Sequence, residues 1–200
     1  MALSGKKILI QEYSSIWAQQ FELLTEVYLK YLAHLVIGVE HVGSTAVPGL
    51  CAKPVIDIDI VVDSMSQVER IIPILVKLGY EYLGEVAIPE RFVFRPISTA
   101  VPSDGSGRLW PKHHLYCCIS GSTALRNHIM LRDALLNDDS LVRTYATLKR
   151  ELVERVNTMD EYVLGKTDFI ASVLAGEGMS NSELSAIAQQ NTGVIPPAKL

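Results

Sequence analysis

His41-Val42-Gly43-Ser44-Thr45-Ala46-Val47-Pro48-Gly49-Leu50-Cys51-Ala52-Lys53-Pro54-Val55-Ile56-Asp57-Ile58-Asp59-Ile60-Val61-Val62 opens on a small-residue turn and closes on an apolar run that carries two carboxylates. Val55 to Val62 is rich in β-branched residues, is bounded by Pro54 and Asp63-Ser64, and reads as a buried strand. Alternate side chains of a strand share a face, so Asp57 and Asp59 point one way and Ile56, Ile58 and Ile60 the other. Two unpaired carboxylates side by side repel, and burying them is costly unless something neutralises them. A divalent cation would do so, and Mg²⁺ is commonly held by one or two carboxylates plus substrate phosphates. Upstream, Gly43-Ser44 follows the short apolar segment Leu35 to Val39. Glycine permits close approach of backbone to a ligand, and successive N–H groups in such turns form anion-binding concavities. A phosphate cradle beside a two-Asp metal site is the apparatus of phosphoryl or nucleotidyl transfer. For Gly-Ser alone, a tight turn before an ordinary strand is the simpler reading.

Working outward, Ser14 or Ser15 starts a helix to about Leu35, with Trp17, Phe21, Leu24, Tyr28, Tyr31 and Leu35 on one stripe that belongs to the core. Leu35 to Val39 is a strand, and His41 a partly exposed residue at its end. Ser64 caps a helix over 65–78 that ends at Gly79, with Pro73 placed to kink it. Tyr80 to Val86 and Glu90 to Pro96 are strands. On the second, Arg91, Val93 and Arg95 share a face opposite Phe92 and Phe94, and two arginines on one face call for anions. Ser98 to Trp110 is a flexible loop, long enough for a lid or a surface insertion. The strand His113 to Ile119 can turn only one of His113 and His114 into a cleft, and His114 is the preferred candidate, as metal ligand or general acid or base. Ser122 caps a helix through Leu136. A second helix runs to about Asn157 with the stripe Leu141, Tyr145, Leu148, Leu152 and Val156 facing inward, and a last one spans Tyr162 to Ala175, interrupted at Gly165. From Gly176 the composition reads as a loose or partner-docked tail.

The 48% hydrophobic content supplies a sizeable core for 200 residues, and a net charge of −4 gives no electrostatic case for nucleic-acid binding. No run of 18 apolar residues is present, so no membrane-spanning helix is expected. The start, Met1 to Lys7, lacks the long apolar region of a signal peptide. Cys51, Cys117 and Cys118 form no CxxC pair and suit a reducing, cytoplasmic setting.

Gly-Ser, about a dozen residues, then Asp-apolar-Asp-apolar resembles the signature of the nucleotidyltransferase superfamily. The longer strings Gly43 to Leu50 and Ala52 to Ile58 resemble the GrpB family, a branch of it. The resemblance runs on through Lys112-His113-His114-Leu115-Tyr116, His128, Leu131-Arg132-Asp133, Tyr145, Leu148-Lys149 and Lys166-Thr167-Asp168-Phe169-Ile170. It covers about Tyr13 to Ala175, and some members are fused to a dephospho-coenzyme A kinase.

The resemblance implies an α/β (α+β) nucleotidyltransferase-like fold, a small mixed sheet with flanking helices and a C-terminal helical bundle. The expected division is 1–120 for the α/β core, 121–176 for the helical region and 177–200 for the tail. By the same resemblance Gly43 and Ser44 hold the phosphates of a nucleoside triphosphate, Asp57 and Asp59 bind Mg²⁺ or Mn²⁺, and His114 joins them in catalysis. Lys53, Arg91, Arg95 and Arg132 are the expected cationic partners. The acceptor is not specified, no membrane partner is expected, and a homo-oligomer is left open. One departure stands out: the third carboxylate common in active nucleotidyltransferases is absent from His-His-Leu-Tyr-Cys-Cys. Either His114 takes its place or Glu81, Glu85 or Glu90 supplies the charge. The departure keeps two alternatives open, a nucleotide- or phosphate-binding module without transfer chemistry and a metal-dependent hydrolase using His and Asp ligands.

Overall fold

The fold is seen in a computed structural model, which describes residues 8–86 and 88–192. Five strands form one sheet: β1 (Gly38–Val42), β2 (Ile56–Val62), β3 (Tyr80–Glu85), β4 (Arg91–Pro96) and β5 (His113–Ile119), in the order β1-β2-β5-β4-β3. β2 and β5 run parallel, and every other neighbouring pair is antiparallel. The helices are α1 (Ile16–Leu32), α2 (Met65–Lys77), α3 (Thr123–Asn137), α4 (Asp139–Arg155), α5 (Met159–Leu164), α6 (Thr167–Gly176) and α7 (Asn181–Thr192). This is the mixed α/β class that the sequence implied.

Period-two alternation in β2 sorts the molecule into layers. Ile56, Ile58, Ile60 and Val62 pack with Leu115, Cys117, Phe92 and Phe94 under α1 and α2, in a core that includes Trp17, Leu24, Tyr28, Val68, Ile71 and Leu75. The opposite face carries Val61 and Cys118, covered by Leu125 and Ile129 of α3. α4 closes the side of the turn between β1 and β2: Tyr145, Ala146 and Val142 pack on Val47, Leu50 and Cys51, with Tyr145 stacked on Phe169 at 4.6 Å. All three cysteines are free and buried. Among the described residues no helix is long and apolar enough to cross a membrane.

Several local expectations change. The first helix ends at Leu32, and the strand begins at Gly38 instead of Leu35, because pairing with β2 sets Gly38 opposite Val61 and Val42 opposite Asp57. His41 therefore lies inside β1, stacked on Phe21 at 4.5 Å, and burial pushes its pKa down to about 4. α2 continues through Pro73, which lies on its exposed face. The loop over 98–110 is anchored near both ends: Val101 and Trp110 are buried in the core under α1 and α2, Trp110 Nε1 donates to Pro102 O at 2.9 Å, and 105–109 between them is exposed. Leu148 is only half-buried. The first part of the expected tail is packed, with Met179 and Ile187 buried against Leu174, while 193–200 lies outside the described residues.

Candidate functional site

On the sheet face away from α1 and α2, the β2–β5 register sets His114 beside Asp57 and Tyr116 beside Asp59. His114 Nδ1 donates to Asp57 Oδ1 at 2.8 Å. From α3, His128 Nδ1 donates to Asp59 Oδ2 at 2.7 Å. The two acids are thus not the unpaired couple that the strand pattern suggests, because each has a histidine on one oxygen. Burial opposes the charged form of Asp57, but the His114 hydrogen bond and charge outweigh it and hold its pKa below the usual carboxylate range. Burial likewise opposes protonation of His128, and the charge and hydrogen bond of Asp59 outweigh it, so its pKa is raised. His113 faces the other layer, where its Nε2 meets the Tyr80 hydroxyl at 2.6 Å and Tyr80 meets Tyr28 at 2.7 Å.

The Gly43-Ser44 turn abuts Asp57. Gly43 sits at φ +70°, and a Cβ there would overlap Asp57 Oδ2, so both backbone and space require glycine. Ser44 begins one turn of 3₁₀ helix (Ser44–Ala46), and its Oγ accepts from Lys149 Nζ. Lys149 comes from α4, is 2% exposed, donates also to Cys51 O at 2.8 Å and lies 4.6 Å from the centre of the Tyr145 ring. Desolvation first, and the charge of Lys166 second, push its pKa down to about 7. Lys166, 4.6 Å from the centre of the Tyr162 ring, is lowered to about 8 by desolvation and then by Lys53. Lys53, Lys149 and Lys166 make no ion pair among the described residues. Lys149 and Lys166 each have a neighbouring lysine among the charges that lower them, and Lys149 reaches the hydroxyl of a tight turn.

The arginines divide. Arg95 pairs with Glu81 across β3 and β4, its Nε at 2.9 Å from the carboxylate. Arg132 donates to Glu40 at 2.6 Å, to Asp133 at 2.8 Å and to His41 O at 3.1 Å, bracing α3 to β1. Arg91 alone of the three lies buried on the site face, its Cζ 4.7 Å from the centre of the Tyr116 ring. Of the glutamates that could replace a third acid, Glu81 is taken by Arg95, and Glu85 accepts from the Glu90 backbone. His128, Lys149 and Lys166 are the site residues that the strand reading missed. For Lys149 the signal was helical spacing: it lies four residues after Tyr145 and three before Leu152, on the inward face.

Among the described residues Asp57 Oδ2 and Asp59 Oδ1 have no hydrogen-bond partner, and the second is fully buried. Among the described residues no three His, Cys, Asp or Glu side chains come together as a metal cage. Two free carboxylate oxygens fit a hard cation whose other ligands are water and phosphate.

A five-stranded mixed sheet flanked by helices, with Asp57 and Asp59 on one of its faces, defines a mixed α/β protein. Residues 7–175 match the family described as GrpB protein, and the chain belongs to that family. It is 35% identical over 159 residues to a UPF0157 protein of Pseudomonas aeruginosa, covering 79% of this chain and 62% of that one. It is 29% identical over 166 residues to the UPF0157 protein YqkA of Bacillus subtilis, covering 82% and 46%. The chain therefore spans less than two thirds of the length of either relative. The conserved protein GrpB from Enterococcus faecalis superposes with a TM-score of 0.70 at 27% identity, over 90% of this chain and 99% of that one. The poly(U) polymerase Cid1 aligns with a TM-score of 0.42 at 12% identity over 78% of this chain and 49% of that one, too remote to bear on chemistry.

Proposed function

We propose that this protein binds a nucleoside triphosphate across the Gly43-Ser44 turn and, with a divalent cation, transfers its nucleotidyl group to a second substrate. The observation that carries the reading is the placement of Lys149, a buried cation that reaches the Ser44 hydroxyl beside Asp57 with two further lysines at hand. An anion there restores the charge that burial and mutual repulsion suppress. Lys53, Lys149 and Lys166 would gather the outer phosphates and neutralise the departing pyrophosphate. Gly43 lets the backbone approach without displacing Asp57. Asp57 and Asp59 would hold Mg²⁺ or Mn²⁺, which when bound offsets charge on the phosphate oxygens. His114 and His128 fix the two carboxylates by one oxygen each, leaving the other free. The free buried thiols suit a reducing cytoplasm.

A second reading, binding without transfer, is favoured by one observation: on β5 the residues beside the acids are His114 and Tyr116, with no third carboxylate. Calorimetry with each nucleoside triphosphate and Mg²⁺ tests the pocket, and pyrophosphate release in a mixture of candidate acceptors tests transfer. Wild-type binding that Lys149→Met abolishes supports the pocket. Undiminished binding in that variant removes it. Binding with no pyrophosphate under any acceptor leaves the second reading.

A further inference from the structure

Arg91 opens β4 and is only 6% exposed. Its guanidinium lies over the Tyr116 ring, and no side-chain hydrogen bond or ion pair to it is present among the described residues; Nε is buried without a partner. A guanidinium keeps its charge at any ordinary pH, and a ring face attracts it without accepting its five N–H groups. Burying it unpaired is costly, and the partly buried Arg132 has the Glu40 carboxylate. Asp59 does not pair with Arg91 either: one of its oxygens serves His128 and the other has no partner. A buried cation with unused donors is suited to an anion that arrives from outside.

Its place differs from that of the lysines. Lys149 and Lys166 act on Asp57 at the β1 side, whereas Arg91 acts on Tyr116 and His128 at the Asp59 side. In the sheet, β2 and β5 separate β1 from β4. Arg91 and the lysines therefore lie towards different acids.

We propose that Arg91 holds the oxyanion of the acceptor substrate, whose reacting group is an ionised phosphate monoester or carboxylate. This rests on the Ser44–Lys149 pocket being the triphosphate site. An anionic acceptor accounts for the missing third acid, because it has no proton to surrender. Its oxygen forms a bond to the α-phosphorus with its own lone pair. The bond from that phosphorus to the bridging oxygen breaks, and pyrophosphate leaves with the electron pair. The product is a phosphoanhydride from a phosphate monoester, or a mixed anhydride from a carboxylate.

The test is calorimetric titration of inorganic phosphate, and separately of acetate, into the full chain saturated with Mg²⁺ and a non-hydrolysable nucleoside triphosphate at constant ionic strength. The occupied lysine pocket cannot then report. Phosphate binding assigns a phosphate acceptor and acetate binding a carboxylate. In either case Arg91→Gln must weaken the anion by about tenfold or more, the loss of a charge-assisted pair, and leave triphosphate affinity within about twofold. Binding of neither anion, an anion affinity that Arg91→Gln does not change, or equal loss of triphosphate and anion overturns the proposal. If wild type binds no triphosphate, the failure belongs to the Ser44–Lys149 pocket instead. Should Arg91→Gln not fold, wild-type crystals soaked in phosphate and in acetate decide: an anion on the guanidinium in one soak supports the proposal, and none in either overturns it.

Discussion

Asp57 and Asp59 are two residues apart and share a face, yet their surroundings separate them. Asp59 is fully buried with His128 as its one partner, while the Asp57–His114 pair has side chains 32% and 51% exposed. Asp59→Asn removes a charge-assisted hydrogen bond in a dry setting and is expected to cost about 1.5–3 kcal/mol. Asp57→Asn is expected to cost less than about 1 kcal/mol, because solvent screens the pair. Urea unfolding of both variants without metal checks the order; equal losses would mean that the histidines do not distinguish the acids. Gly43→Ala combines a positive φ with a clash against Asp57 Oδ2 and is expected to destabilise by more than about 1 kcal/mol and to abolish triphosphate binding, read by melting and calorimetry. At this scale the strand period alone placed both acids on one face. Their histidine partners were not equally legible: His114 follows from alternation in the neighbouring strand, but His128 depends on how α3 lies over the sheet, which local sequence does not specify.

α4 shows how an element's inward face differs from its most apolar stripe. Tyr145, Lys149 and Leu152 are buried, and Leu148, in the middle of the apolar stripe, is half-buried. A helix can turn a polar group inward where polar partners await it, here an ammonium that lies over the Tyr145 ring and donates to Ser44 Oγ and Cys51 O. Leu152→Ala is expected to cost about 2–5 kcal/mol and Leu148→Ala clearly less, measured by urea denaturation. The reverse order would place the apolar stripe inward after all. The five strands were legible within a few residues because alternation, Gly and Pro bound them. β1 was displaced because its start is set by pairing with β2, a long-range fact. The break between α5 and α6 was legible at Gly165, where a Cβ would overlap Leu152.

At the scale of the whole molecule the candidate site belongs to no single element. The sheet contributes the acids and Arg91, and α4 and the start of α6 contribute lysines far along the chain. A net charge of −4 conceals that cluster, since composition averages over the surface while a pocket gathers a few residues. The cluster has a linked consequence in pH. Lys149 binds its proton with a pKa of about 7 when folded, against 10.5 for a free lysine, and Lys166 is lowered to about 8. Between those folded values and 10.5 the unfolded chain holds more protons than the folded one. Each lysine therefore makes stability rise with pH in that interval, and costs most below it, where it is charged in both states. A bound polyphosphate reverses the desolvation by supplying negative charge, so it raises both lysines towards their ordinary values. At pH 8 the complex must then take up protons, and affinity must fall as pH rises above about 7, the lower of the two free-protein values. Calorimetry at pH 8 in two buffers of different ionisation heat measures that uptake directly. The expected result is an uptake of about one proton or somewhat more in wild type, reduced by most of a proton in Lys149→Met. Binding with no proton uptake would mean that the phosphates do not reach Lys149, and the pocket beside Ser44 would lose its ligand.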